Sequence, residues 1–176
     1  MRESIGGLWL FSIVITFIVL FVSFLAYSIS YTRAFKVKNE IINYIERAEG
    51  FTTTEGGIDN ISDDEMKGMA ANNTAPVDVL AYLQIQNVGY NYSIAEQISC
   101  NDYDYGHNQT GGYCLKRYCP GGDNGEMIYY KVTTFVAFKI PVLNFIFKIP
   151  ISGETKSLYY DRASDKGWCD VESYGY

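Results

Sequence analysis

The sequence predicts an α+β protein: one long N-terminal helix, transmembrane over its first half and amphipathic over its second, with a small antiparallel sheet of three to four strands packed on its C-terminal half. Three observations predict it. No charged side chain stands between Glu3 and Arg33, and the run from Leu8 to Tyr27 is apolar on every face. Immediately beyond, Ala34, Val37, Ile41, Ile45 and Ala48 recur at three- and four-residue steps, which is one stripe of a helix. The C-terminal half then turns to β-branched and aromatic residues, most densely from Met127 to Lys139.

A helix without a polar face cannot rest on a single protein core and needs lipid on most sides. About 20 apolar residues rising about 1.5 Å each match a hydrocarbon layer of about 30 Å, so Gly7 to Ile29 reads as a transmembrane helix. Ser12, Thr16 and Ser23 can return their hydroxyls to the helix's own carbonyls. The competing reading, a cleaved signal peptide, calls for an apolar core of about 7 to 15 residues and a small-x-small cleavage site. This run is longer, and Phe24-Leu25-Ala26-Tyr27 makes a poor site. Between Tyr31 and Glu49 there is no Pro or Gly, so the helix is expected to continue unbroken until Gly50 stops it. Arg33, Lys36, Lys38, Glu40, Glu46 and Arg47 fall mostly off the apolar stripe. The stripe needs a partner, and the rest of the chain is the nearest one. The organisation is thus a short leader (1–7), the transmembrane helix (8–29), its amphipathic continuation (30–49) and an extracytoplasmic α+β domain with disulfides (50–176).

Within that domain, residues 50–61 form a connector. Ser62-Asp63-Asp64-Glu65 is a capping box, predicting a short helix to about Ala71 that Gly68 weakens. Pro76 opens a second short helix, whose apolar face is Val79, Leu80 and Leu83 and which Gly89 ends near Val88. Tyr90 to Ile94 reads as a short extended piece, and Asn101 to Gly112 as a polar, glycine-rich loop. Tyr113 to Cys119 is a strand candidate, followed by turn residues from Pro120 to Gly125. Met127 to Lys139 is the strongest strand, and Pro141 stops it. Val142 to Phe147 reads as an apolar link, a helical turn or a membrane contact. Ile149 to Tyr160 is another strand, in which Pro150 and Gly153 predict an edge or a bulge. Asp161 onward is a polar tail.

Four cysteines, Cys100, Cys114, Cys119 and Cys169, all follow the membrane helix. An even count in a small domain behind an anchor predicts two disulfides in an oxidising compartment. Three pairings are open; a three-strand meander would return the tail beside the 119–126 turn, favouring Cys100–Cys114 and Cys119–Cys169. Zinc is disfavoured, because no second cysteine pair accompanies Cys114 and Cys119 and His107 is the sole histidine. The cysteines place the C-terminal domain outside the cytoplasm and the N-terminus inside. Arg33, Lys36 and Lys38, just past the span, argue for the opposite orientation. The cysteines weigh more, because those basic residues also fit the solvated side of a striped helix.

The net charge of −6 argues against nucleic acid, which demands clustered Lys and Arg. No catalytic residues are assigned: His107 lacks a nucleophile once the cysteines are bonded, and no phosphate-cradling loop or carboxylate pair stands out. Gly153-Glu154-Thr155-Lys156 reads as a bulge followed by alternating exposed side chains. Asp102 to Asn108 lacks the full pattern of a calcium loop and reads as a solvated loop, so no metal and no cofactor is expected.

The plan of a short leader, an apolar helix running into a striped helix and then a small disulfide-linked sheet resembles type IV pilins and pseudopilins. It looks most like the TadE/TadF-type minor pseudopilins of tight-adherence (Tad) pilus systems. The residues that carry the likeness are Gly6-Gly7 before the apolar helix, Ile29 to Ala34 just past it, and the patterns Tyr130 to Phe135, Ile140 to Leu143 and Ile149 to Lys156. The resemblance implies a non-enzymatic, single-pass membrane protein that packs its helix against other pilin-like or pilus-assembly subunits, with Gly6 or Gly7 as the site of leader processing. Pilins of this group carry Glu at the fifth position after the cleaved Gly; here that position is Ser12 counted from Gly7 and Phe11 counted from Gly6. A membrane-anchored assembly factor is therefore expected alongside a filament subunit. A different reading makes the chain a tethered surface domain that binds a ligand or the cell envelope through the Tyr-rich loop 102–118.

Overall fold

A computed structural model of the chain describes residues 2–90, 100, 105–107, 112–120, 127–140 and 145–159. Helix α1 (Arg2–Arg47) is followed by a 3₁₀ turn (Ile58–Asn60), α2 (Asp63–Ala71) and α3 (Val77–Val88). Then come five strands, β1 (Tyr105–His107), β2 (Tyr113–Tyr118), β3 (Met127–Ile140), β4 (Phe145–Glu154) and β5 (Leu158–Tyr159). The fold is α+β, with α1 as its spine.

At 46 residues, α1 is about 70 Å long. Thr16, Ser28, Ser30 and Thr32 each return a hydroxyl to the carbonyl four residues earlier, so these polar groups are met within the helix. The helix ends one residue earlier than Gly50 suggests. Glu49 holds the left-handed position at φ 52°, and Gly50 N–H donates to Ile45 O at 3.1 Å, closing a Schellman-type end. A carboxylate side chain in this conformation is strained where glycine is not. Glu49→Gly should therefore raise stability by about 0.5 kcal/mol, the relief being partly offset by the extra freedom of the unfolded chain. A higher denaturation midpoint of the detergent-solubilised protein would register it.

The short helices follow their sequence signals. Ser62 Oγ accepts from Glu65 N–H at 3.4 Å and starts α2. Gly89, at φ 64°, ends α3, and Tyr90 N–H donates to Ile85 O at 3.1 Å. Pro76 gives α3 no side-chain cap, and the connector supplies one instead. Val77 N–H donates to Thr52 Oγ1, and Asp78 N–H to Thr52 O. The buried Asp78 carboxylate accepts from Thr54 N–H at 2.7 Å and from its hydroxyl at 3.1 Å. The apolar residues of α3 divide between two faces rather than forming the one expected. Val77, Ala81 and Ile85 join the main core beside α1, whereas Val79 packs with Ile58 and Met66, and Leu83 lies at the border of that second cluster.

The sheet is an antiparallel meander in the order β1-β2-β3-β4, with β5 also on β3. Two segments read as non-strand from sequence are extended. Tyr105–His107, expected within a loop, pairs with Tyr113–Leu115, and Phe145–Phe147, expected in an apolar link, begins β4. β4 is an edge strand, one of the two alternatives that Pro150 and Gly153 predict; its pairing with β3 is unbroken from Ile140↔Phe145 to Lys131↔Glu154, so neither residue makes a bulge. The extra residue comes later. Lys131 pairs with Glu154 and Ile128 with Leu158, so three steps on β3 face four on the returning strand. Thr155 anchors this kink: its N–H donates to Tyr130 O at 2.9 Å and its Oγ1 accepts from Tyr130 N–H at 3.0 Å.

Candidate functional site

The feature set apart by its chemistry is α1, whose two halves meet different surroundings. From Leu8 to Leu25, the large side chains are between 39% and 72% exposed, although nearly all are Leu, Ile, Val or Phe. This stretch is long and apolar enough to cross a membrane. Along the second half, Ala34, Val37, Ile41 and Ile45 are each 0% exposed. The predicted stripe is the buried line of the helix as far as Ile45, whereas its last residue, Ala48, is exposed; its cover includes Leu115, Tyr130, Val132 and Val136 of the sheet and Val77, Ala81 and Ile85 of α3.

Polar contacts fix the register of this interface. Thr134 Oγ1 donates to Ala34 O at 3.1 Å, in the buried seam. Arg33 Nη1 donates to Gly89 O at 3.1 Å, tying α1 to the end of α3. Lys156 N–H donates to Glu46 Oε1 at 2.9 Å, while the Lys156 ammonium stands 3.7 Å from Glu46 Oε2. Gly153 is a point of close approach: a Cβ there would lie 2.9 Å from Ile42 Cδ1 and 3.0 Å from Lys38 Cδ and Nζ. The glycine is needed because β4 lies directly on the helix. Lys38 is buried and its ammonium sits 4.3 Å from the Phe35 ring centre, so it belongs to the packing and not to a freely solvated basic cluster.

Gly6 and Gly7 lie inside α1, and nothing stands within 4 Å of a Cβ built on Gly7. Each helical glycine costs about 1 kcal/mol relative to alanine, so this is where the first turns of α1 unwind most readily. Among the cysteines, Cys100 and Cys114 are disulfide-bonded, with Cα atoms 5.7 Å apart. Together with Phe135 they form a small buried cluster separate from the main core. Cys119 is disulfide-bonded too; its expected partner Cys169 lies outside the described residues. So do the extended piece expected from Asn91 to Ile94, the turn at 121–126, the polar tail, and most of the Tyr-rich loop and calcium-type stretch between 101 and 111. Of that loop's tyrosines, Tyr113 is fully buried and is a core residue, while Tyr118 stacks on Tyr129 at 5.0 Å.

Sequence reasoning passed over Tyr90, which clamps the sheet. Its hydroxyl donates to Phe135 O at 2.5 Å and accepts from Phe135 N–H at 3.0 Å. Burial, partly countered by the Phe135 N–H, pushes its phenol up to about 12. Burial also raises Tyr113, and the Asp78 carboxylate adds to it. Below pH 10 Tyr90 is protonated folded or unfolded, and its packing contributes fully. Between about pH 10 and 12 the unfolded chain gives up the proton and the folded chain keeps it, so stability falls by about 1.4 kcal/mol per pH unit for this one group. Denaturation midpoints measured from pH 8 to 12 should fall less steeply in Tyr90→Phe than in the parent.

No protein-family model matches the chain, and no curated protein or solved structure is significantly similar to it.

Proposed function

We propose that the chain is a non-enzymatic, membrane-anchored pseudopilin-like subunit or assembly factor of a type IV pilus-like apparatus of the Tad kind. On this reading α1 sits in the lipid, the disulfide-linked domain lies on the extracytoplasmic side, and the protein works by packing α1 against other pilin-like or assembly subunits. The observation that carries it is α1 itself, one helix that is apolar and bare along its first half and is the spine of a small sheet along its second. A domain built directly on its own membrane helix, without a linker, turns with that helix, as lateral assembly of rods requires. The Cys100–Cys114 disulfide supports an oxidising compartment.

A photo-crosslinking residue at Phe17, in the bare half of α1, tests the reading in the native cell. Adducts with proteins that carry a similar N-terminal apolar helix are expected. Adducts with lipid alone would favour the second reading, a tethered domain that binds through its surface. The half-buried Tyr118–Tyr129 pair on β2 and β3 is the feature that keeps that alternative in view. N-terminal sequencing of the mature protein separates the processing claim: a start just after Gly6 or Gly7 supports it, and an intact Met1 removes it while leaving the anchor.

A further inference from the structure

The contacts between the sheet and α1 run in one direction. Lys156 meets Glu46, Gly153 lies against Ile42 and Lys38, and Thr134, paired with Ile151, reaches Ala34. Moving back along β4 and forward along β3 therefore climbs α1 toward its apolar half. The strands do not end at Ala34: β3 continues from Thr134 to Ile140, and β4 reaches back to Phe145. Six further residues at about 3.3 Å each add about 20 Å of strand. Arg33 is the first charged residue after the apolar run, so Ala34 lies near the membrane surface. The headgroup zone is only about 5 to 8 Å deep on each side of the hydrocarbon. Even a strand inclined at about 60° to α1 would rise by about 10 Å and pass through it.

Two more observations agree. Ser23, Tyr27 and Ser30 are half-buried, and they continue the face of Ala34, Val37 and Ile41 by steps of three and four residues up into the apolar run. Tyr27 packs against the same core as Val136. The residues at the strand ends also suit the place. Phe138↔Phe147 and Ile140↔Phe145 occupy register positions on the same face as the pair Val136↔Ile149, and Ile149 is 39% exposed. On the other face the register sets Lys139 diagonal to Lys148, so both basic residues of this end of the sheet share one face.

We infer that the ends of β3 and β4 form a second membrane contact, embedded in the headgroup and upper acyl region of the bilayer beside α1. This rests on the reading of α1 as a membrane span. With two points of attachment the domain is held at a fixed tilt and rotation on the membrane, whereas a single helix would leave it free to spin.

The experiment uses the full chain in phosphatidylcholine–phosphatidylglycerol vesicles and exploits the scarcity of tryptophan, which occurs only at Trp9 and Trp168. Phe147→Trp, in a background of Trp9→Phe and Trp168→Phe, reports on the strand end. Trp168→Phe alone leaves Trp9 to report on the span. Lipid brominated on its upper acyl carbons should strongly reduce the emission of the residue-147 reporter, and acrylamide in the water should reduce it little. If acrylamide quenches that reporter and bromolipid does not, while bromolipid still quenches Trp9, the second contact is overturned and the anchor stands. If bromolipid leaves Trp9 untouched, the span fails and the second contact falls with it. Phe145→Trp, two residues along on the same face, repeats the measurement should Phe147→Trp not fold.

Discussion

Ile41→Ala is expected to lower the stability of the C-terminal domain by about 3 kcal/mol, within the roughly 2 to 5 kcal/mol typical of a fully buried large-to-small change. Ile41 is 0% exposed and stands mid-stripe, between Val37 and Ile45, where α1 meets the sheet. Removing its branches opens a cavity in the seam that joins the two layers, and neither side can collapse into it. Thr134 is bonded to the Ala34 carbonyl and Lys156 to Glu46, which hold the helix and sheet at a set distance. Ile41→Asp should go further and unfold the domain, because it puts a carboxylate into an apolar, fully buried seam. Lys36→Ala, on the exposed side of the same helix, should change stability by less than about 0.5 kcal/mol. The readout is near-ultraviolet circular dichroism of the tyrosines during chemical denaturation in micelles. Far-ultraviolet signal is less informative, since the apolar half of α1 is expected to stay helical in the micelle after the domain has melted.

Cys100→Ser with Cys114→Ser should cost about 3 kcal/mol, the value expected for releasing a loop of this length. The two cysteines lie 14 positions apart in sequence, and Cys114 is wholly buried in a cluster with Phe135. The bond thus closes a chain loop and covers a patch of β2 and β3 outside the main core. Reductant should lower the melting midpoint of the parent protein further than that of the double variant, since in the variant only the bond at Cys119 remains to be broken. Equal drops in the two proteins would mean that the Cys100–Cys114 bond contributes nothing to the folded domain.

The parts of this fold that could be read from sequence are those governed by local rules. The stripe from Ala34 to Ile45 was legible because a helix repeats every 3.6 residues or so, whatever covers it. The capping box at Ser62, the stop at Gly89 and the long strand β3 were legible for similar reasons. What escaped depends on neighbours distant in sequence. Tyr105–His107 has no strand pattern and is extended because β2 offers it a partner. Phe145–Phe147 is part of a short apolar run, which periodicity cannot assign to helix or strand. Gly153 looks like a bulge residue in sequence; only the nearness of Ile42 and Lys38 reveals that it makes room for a helix. Glu49 adopts the left-handed turn that Gly50 beside it could have taken more cheaply, and the sequence offers no reason for that choice. Tyr90 left no local signal, because its two hydrogen bonds go to Phe135.

That the apolar stretch and the domain spine are one unbroken helix is tested most directly by amide hydrogen exchange of the full chain in lipid nanodiscs, read across Ser28 to Arg33, where the apolar run ends. A continuous α1 predicts slow exchange through those residues and on through Ala34, Val37 and Ile41. Fast exchange confined to Ser28–Arg33, between two protected segments, would mean a hinge at the end of the apolar run and would contradict the single rod.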